Sequence, residues 1–345
     1  MVKVLDPIIL AGDIGGTKAN LAFYKLHNGK LELVVQKQFP SHDYANLHDL
    51  IAEFIEESGL RADHVCAAVA GPVVNGTCNA TNLPWTIDAA ILAQRLGFKQ
   101  IELMNDLEAN AHGIYELSEE DFVTINQGDK KIHGNVGVIS AGTGLGEAGI
   151  IWEDRKMRPF ASEGGHCDFA PSNQIQLELL QYLRKKLEHV SYERVLSGQG
   201  LQHIYEFLRD ENKFPEPAWL AESLKTNDPP AVISENGLQN QTEICSEALN
   251  IFTDIYGAEA GNLALKLMAT GGIYIGGGIA PKMIRKFSEP RFLESFLDKG
   301  RLRSVLESIQ IKVIMNDKTA LLGAARCALM HAGILHHVDA TLLRS

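Results

Sequence analysis

Two short apolar runs around a glycine-rich turn, Ile8-Ile9-Leu10-Ala11-Gly12-Asp13-Ile14-Gly15-Gly16-Thr17-Lys18-Ala19-Asn20-Leu21-Ala22-Phe23-Tyr24, constrain this chain more than any other stretch. Runs that short, broken by glycines, suit strands better than helices, so the stretch reads as a β-hairpin. Gly15 and Gly16 lack a Cβ, which lets the backbone wrap closely around an anion and aim its amides at it. Thr17 and Lys18 can add donors, and Asp13 could hold a magnesium ion through water. No G-x-x-x-x-G-K-[ST] spacing passes through the turn, so it is not a Walker A loop. An ordinary hairpin turn would use the same residues.

The rest of the chain alternates strand and helix patterns, which signifies an α/β layer architecture. Leu31 to Phe39 reads as a third strand, and Leu47, Leu50, Ile51, Phe54 and Ile55 recur at helical spacing up to Gly59. Val65 to Ala70 is a continuous apolar run, as in a strand covered on both faces. A loop through Asn75-Gly76 and Asn82-Leu83-Pro84-Trp85 should lead to a helix capped near Thr86 or Asp88. Ile101 to Met104 reads as a strand carrying Asn105-Asp106 at its carboxyl end, with a helix from about Leu107.

A second unit repeats the opening plan, with Val136 to Ser140, then Ala141-Gly142-Thr143-Gly144-Leu145-Gly146-Glu147, then Ala148 to Trp152. Two such hairpins in separate α/β units point to a duplicated architecture with a ligand between the halves. Gly144 to Gly149 matches G-x-G-x-x-G, but that fingerprint must open a helix and these residues are strand-like, so a second phosphate-holding turn is the better reading. Beyond it, Gln174 to Leu187 and Ile244 to Met268 look helical, Asn212 to Pro230 reads as loop, and residues 270–281 read as a strand between glycine turns. Asp317 can cap a last helix, Lys318 to Leu329, whose Gly323, Ala324, Ala325 and Ala328 favour close packing.

The chain of 345 residues has ample material for two domains and a normal globular composition, 45% hydrophobic and 22% charged. A net charge of -11 without a Lys/Arg block argues against a nucleic-acid partner. Five scattered cysteines without a C-x-x-C pair fit a reducing cytosol. No apolar run is long enough for a signal h-region or a bilayer span, so a soluble, cytoplasmic protein is expected.

Gly12 to Lys18, Asn105-Asp106, Gly142-Thr143-Gly144 and Gly271 to Ile279 resemble, in that order, the phosphate-1, catalytic-aspartate, phosphate-2 and adenosine motifs of the sugar kinase, actin and heat-shock chaperone superfamily. Ser162-Glu163-Gly164-Gly165-His166 and Tyr192-Glu193-Arg194-Val195-Leu196-Ser197-Gly198 narrow the resemblance to the bacterial ATP-dependent glucokinases, over nearly the whole chain. Relatives in the neighbouring repressor and sugar-kinase family follow the E-x-G-H motif with a cysteine-rich zinc site. Here only Cys167 follows, which points to the zinc-free group. The first strand begins by Ile8, leaving no room for the helix-turn-helix of the repressor members.

The resemblance implies a two-domain actin-like ATPase (ribonuclease H-like) fold, with residues 1–115 plus 318–345 as the small domain and 116–317 as the large one. It implies ATP and Mg2+ as cofactors, glucose as substrate, a ligand cleft that closes on sugar, and a homodimer. ATP would contact Gly12, Asp13, Gly15, Gly16, Thr17, Lys18, Gly142, Thr143, Gly144, Gly276 and Gly277, with Mg2+ on Asp13 through water. Asn105, Glu163, His166 and Glu193 would take the sugar hydroxyls, since carboxylates, an amide and an imidazole can both fix and select them.

Asp106, at the carboxyl end of a strand where open α/β sheets bind ligands, is the expected general base on the 6-hydroxyl. Other readings of single residues remain open at this point. Asp106 could be a helix cap, His166 a loop histidine, and Glu193 a first-turn acid of a helix. The rival functions are a kinase for another hexose or an acetylamino sugar, and a non-catalytic sugar sensor.

Overall fold

The opening hairpin forms from β1 (Ile8–Ile14) and β2 (Lys18–His27), paired antiparallel with Asp13 opposite Asn20 and Ile14 opposite Ala19. β3 (Lys30–Pro40) extends it, and α1 (Leu47–Ser58) starts where Asn46 Oδ1 accepts the Asp49 N–H and ends at Gly59, φ +66°. β4 (His64–Val69) follows. The segment expected as loop next contains a small antiparallel sheet, β5 (Val73–Val74), β6 (Thr77–Asn79) and β7 (Thr86–Asp88). Asn75 and Gly76, at φ +52° and +73°, turn the chain as two-residue hairpins require. Asp88 caps α2 (Ala89–Leu96), and β8 (Glu102–Asn105) runs directly into α3 (Asp106–Gly113).

Further along lie β9 (Phe122–Asn126), β10 (Val136–Ala141), β11 (Leu145–Glu153) and β12 (Lys156–Ser162). α4 (Gln174–Arg184) and α5 (Gly198–Asp210) follow, then α6 (Ala218–Thr226) and α7 (Pro229–Leu238). These last two correct the loop reading of 212–230: Pro217 directly precedes α6 and Pro229 is the first residue of α7, so the prolines open helices. α8 (Glu243–Leu267), β13 (Gly272–Gly276), α9 (Ile284–Phe287), α10 (Pro290–Leu297), α11 (Arg303–Glu307), β14 (Ile311–Ile314) and α12 (Thr319–His331) complete the order. Asp317 does not cap α12; the Asn316 side chain instead accepts the Lys318 N–H at 2.9 Å.

This computed structural model describes residues 6–80, 83–129, 133–153 and 156–335. Asn82 of the expected loop, and residues 1–5 and 336–345 of the expected small domain, lie outside them. The chain divides into two compact units, Met1–Glu120 with Ile150–Ala161 and Asn316–Ser345, and Asp121–Gly149 with Ser162–Met315. No helix among the described residues is long and apolar enough to cross a membrane.

In the first unit the sheet order is β3-β2-β1-β4-β8, with β1, β4 and β8 parallel. Side chains alternate between its faces. Leu10, Ile14, Val65 and Val69 pack with Leu50, Ile51 and Phe54 of α1 on one face, while Ile9, Ala11, Cys66 and Ala68 meet Ala109 of α3 and Leu321, Ala324 and Ala325 of α12 on the other. Helices on both faces explain why these strands read as unbroken apolar runs.

The second unit holds β10, β13 and β14 in parallel within the order β12-β11-β10-β13-β14-β9. Ile139, Ile273, Ile275 and Val313 share a core with Ile251, Phe252 and Ile255 of the long helix α8.

Candidate active site

In the first unit the Gly15–Thr17 turn is closed by the Gly15 N–H on the Lys18 carbonyl at 3.0 Å. Ser41 braces it from outside the hairpin. Its Oγ donates to the Gly15 carbonyl at 2.8 Å and its N–H to the Thr17 carbonyl at 3.0 Å. Among the described residues no acceptor is bonded to the N–H of Gly16 or Thr17, and Thr17 and Lys18 are exposed. A rigid turn with open amides is what an anion needs. Asp13, at the end of β1, receives the Asn20 Nδ2 at 3.3 Å, and burial pushes its carboxyl above the usual range. Gly12 lies buried in β1, where a Cβ would crowd Leu21 at 3.1 Å.

Across the sheet Ile14 is in register with Val69, and Val69 with Asn105. The turn and Asp106 therefore stand at the same carboxyl edge, with one strand between them, about 10 Å apart. Asn105, not Asp106, is the cap of α3. Its Oδ1 accepts the N–H groups of Leu107 and Glu108 at 2.8 and 3.3 Å, and its Nδ2 donates to the Gly71 carbonyl at 3.1 Å. Those bonds occupy most of the amide's capacity and leave one Nδ2 hydrogen for a ligand. Asp106 is the first helical residue, half-buried, with Oδ1 also 3.0 Å from the Leu107 N–H. The positive end of the helix dipole favours a negative charge there.

In the second unit the Gly142–Gly144 turn is held from three sides. Gly142 N–H donates to the Gly144 carbonyl at 2.8 Å, and the Gly142 carbonyl accepts the Gly198 N–H at 2.9 Å from the start of α5. Glu193 Oε2 accepts the Leu145 N–H at 3.0 Å, and any Cβ on Gly144 would strike this carboxylate. By contrast a Cβ on Gly142 would meet nothing within 4 Å, so packing does not demand glycine there. Thr143 is exposed. Ser140 pairs with Gly276 in register, and the Ile279 N–H reaches the Ala141 carbonyl at 3.2 Å, so Gly276 and Gly277 border the same turn. Gly277 has φ +81° and lies against the Ala141 backbone, which excludes a side chain.

Glu163 precedes a single 3-10 turn, Gly164–His166, and the two exposed side chains lie 4.0 Å apart, Oε2 to Nε2. Glu193 sits in a similar short turn, Tyr192–Arg194, rather than opening an α-helix. The two segments run together: Tyr192 N–H donates to the Cys167 carbonyl at 3.0 Å, and Phe169 N–H to the Val190 carbonyl at 2.9 Å. Gly165 packs directly on the Leu145 carbonyl.

The second unit therefore gathers Gly142, Thr143, Gly144, Glu163, His166, Glu193, Gly276 and Gly277 around one sheet edge, and the first gathers Gly12 to Lys18 with Asn105 and Asp106. Ser41 and Asn20 were not read from sequence. A serine after Pro40 carries no spacing signal, and Asn20 is identifiable only from its register opposite Asp13.

A family model described as Glucokinase matches residues 10–331. The chain is similar to the glucokinase of Nostoc sp. (strain PCC 7120), 40% identical over 337 residues that cover 93% of this chain and 98% of that one. Among solved structures it is similar to a glucokinase from an Antarctic psychrotroph, at TM-score 0.80 and 32% identity over 93% of this chain and 98% of that one. A ROK-family glucokinase from Streptomyces griseus, solved in complex with glucose and AMPPNP, shares the fold at TM-score 0.65 and 21% identity, covering 94% and 99%. With the motifs in family order on two sheets of the expected kind, the chain belongs to the glucokinase family and has its actin-like ATPase (ribonuclease H-like) fold.

Proposed function

We propose that this protein transfers the γ-phosphoryl group of ATP in line to the 6-hydroxyl of glucose, giving glucose 6-phosphate and ADP. The observation that carries the reading is the first sheet's carboxyl edge, where a braced turn with open amides and the Asp106 carboxylate stand one strand apart. Phosphoryl transfer asks mainly for positioning and charge neutralisation. Backbone amides of Gly16 and Thr17 hold the phosphates, with Gly15 closing the turn, Gly12 beneath it and Lys18 beside it. The turn of Gly142, Thr143 and Gly144 holds them likewise, and Gly276 and Gly277 flank the adenosine. Asn105, Glu163, His166 and Glu193 orient the sugar, and Asp106 accepts the proton of its 6-hydroxyl.

Residues 1–115 with 318–345 act as the small domain and 116–317 as the large one, apart from 116–120, 150–161 and 316–317, which group with the first unit. Glucose and AMPPNP in the Streptomyces griseus relative support this pairing of ligands. Asp13 fits a hydrated Mg2+: a half-buried carboxylate with one amide donor, its charge penalised by burial, suits a cationic partner. When bound, the ion would neutralise charge on the phosphate oxygens. Cytoplasmic residence and a homodimer go with this reading, and sedimentation velocity tests the second.

The test of the base is Asp106→Asn. A positioned general base contributes about 10²- to 10⁴-fold, so kcat should fall by that factor while glucose still binds. Near wild-type kcat in this variant would remove Asp106 from the role. A coupled ADP assay over a panel of hexoses and acetylamino sugars tests the choice of glucose, and binding without turnover would establish a sensor instead.

A further inference from the structure

Beneath the segment carrying Glu163 and His166 lies a pair of buried acids that phosphoryl transfer leaves unused. Glu147 in β11 is 1% exposed and Glu259 in α8 is fully buried. Glu147 Oε2 lies against Gly164, where an added Cβ would strike it. Glu259 Oε1 accepts the Lys266 Nζ at 2.8 Å, and its Oε2 accepts the Asn262 Nδ2 at 2.8 Å. The same Asn262 Nδ2 donates to the Tyr192 hydroxyl at 3.0 Å, and Tyr192 adjoins Glu193. One polar floor therefore underlies both segments assigned to the sugar.

If both acids ionise, Glu147 has no cation in direct contact among the described residues. Lys266 is the cation paired with Glu259, and Glu147 Oε1 receives no hydrogen bond from any N–H donor among the described residues. The groups facing Glu147 are Glu259, Lys266 and Tyr256 from α8, and Tyr192 and Lys299 in turn act on Glu259. Burial, and then the Glu259 charge, push the Glu147 carboxyl up to about 8. At neutral pH it is a neutral acid that donates to Glu259. Above that range two buried carboxylates repel each other, and Gly164 rests directly against one of them.

We propose that Glu147 is a positioning residue for sugar binding: hydrogen-bonded as a neutral acid to Glu259, it supports Gly164 and so holds Glu163 and His166 where the glucose hydroxyls arrive. This inference rests on the glucose-kinase reading above. Glu147 touches neither substrate, so its loss weakens glucose binding more than it slows the bound complex.

The experiment measures kcat and the glucose KM of the full chain at saturating ATP from pH 6.5 to 9.5, for wild type and Glu147→Gln. Loss of one proton near pH 8 should raise the wild-type glucose KM by about thirtyfold over that span, with kcat changing little. Glu147→Gln keeps a donor toward Glu259 and cannot ionise, so its KM should stay flat. A KM rise of equal size in both proteins overturns the proposal, as does a flat wild-type profile.

Calorimetric glucose binding to wild type at pH 8.5, in buffers of different ionisation enthalpy, gives a readout that needs no variant. Proton uptake on binding supports the proposal and its absence refutes it. If wild type neither binds nor phosphorylates glucose at pH 6.5, the kinase reading fails and this inference falls with it. Normal turnover at pH 6.5 without the alkaline KM rise sinks the inference alone.

Discussion

Replacing Gly323 by alanine puts the packing of α12 on α3 to a test whose sign is decided by competing magnitudes. In the middle of a helix, glycine to alanine ordinarily stabilises by about 1 kcal/mol, because alanine loses less backbone entropy on folding. At Gly323 the added Cβ would run into the Ala109 carbonyl and come within 2.8 Å of the Gly113 amide nitrogen. Both obstacles are α3 backbone, which has no rotamer to escape into. The contact is reciprocal, since a Cβ on Gly113 would strike the Thr319 carbonyl of α12. Overpacking of that kind costs about 1–3 kcal/mol. Set against the propensity gain, it should leave Gly323→Ala destabilised by up to about 2 kcal/mol.

The same clash moves α3, and Asp106 is the first residue of α3. A displacement near 1 Å at a reacting group costs about 10²-fold in rate. Urea unfolding followed by circular dichroism should therefore show a lower midpoint, and steady-state kinetics a lower kcat. A higher midpoint with unchanged kcat would mean that the two helices are not in backbone contact.

Three further outcomes follow from the site and its supports. Glu193→Ala leaves the Leu145 N–H without its acceptor, a loss of about 1–3 kcal/mol at a turn assigned to phosphate. It should raise the KM for ATP and for glucose together, whereas Glu163→Ala, on an exposed side chain, should raise that for glucose alone; equal behaviour of the two variants refutes the contact's role. Arg326 and Glu116 form a mostly buried ion pair, so Arg326→Leu should cost about 3–5 kcal/mol in urea unfolding, and adding Glu116→Leu should recover most of it. Glu147 binds its proton more tightly folded, at about 8, than at its ordinary 4.5. Stability should then fall as pH rises between those values, by about 1.4 kcal/mol per unit, and level off above 8. Glu147→Gln should remove that slope, as measured by unfolding at pH 5.5 and 7.5.

Local chemistry made much of this protein legible before any coordinates. The Ile8–Tyr24 hairpin, α1 with its Gly59 stop, and the long helix α8 lie where periodicity and turn residues place them. Those signals are complete within a dozen or so neighbouring residues. Misreadings fell where one local signal serves two structures. The prolines of 212–230 open helices as readily as they break them, and Asn75-Gly76 turns a hairpin as readily as a loop. β14, only Ile311–Ile314, is too short to show any period.

The site divides along the same line. Residue types and motif order pointed to glycine turns, an aspartate after a strand and a set of sugar-binding polar groups, because a phosphate or hydroxyl demands those side chains wherever they come from. Which group does which task required three dimensions. Asn105 rather than Asp106 caps α3, Ser41 braces the first turn from 26 residues away, and Glu193 holds the second turn through the Leu145 amide. Glu147 reads as a strand residue inside a glycine motif and becomes a buried acid only because α8 brings Glu259 against it. Sequence alone thus determined the elements and the kinds of chemistry available, since both depend on neighbours along the chain. Only the tertiary structure decided the pairings, because hydrogen bonds and charge–charge energies depend on distance in space.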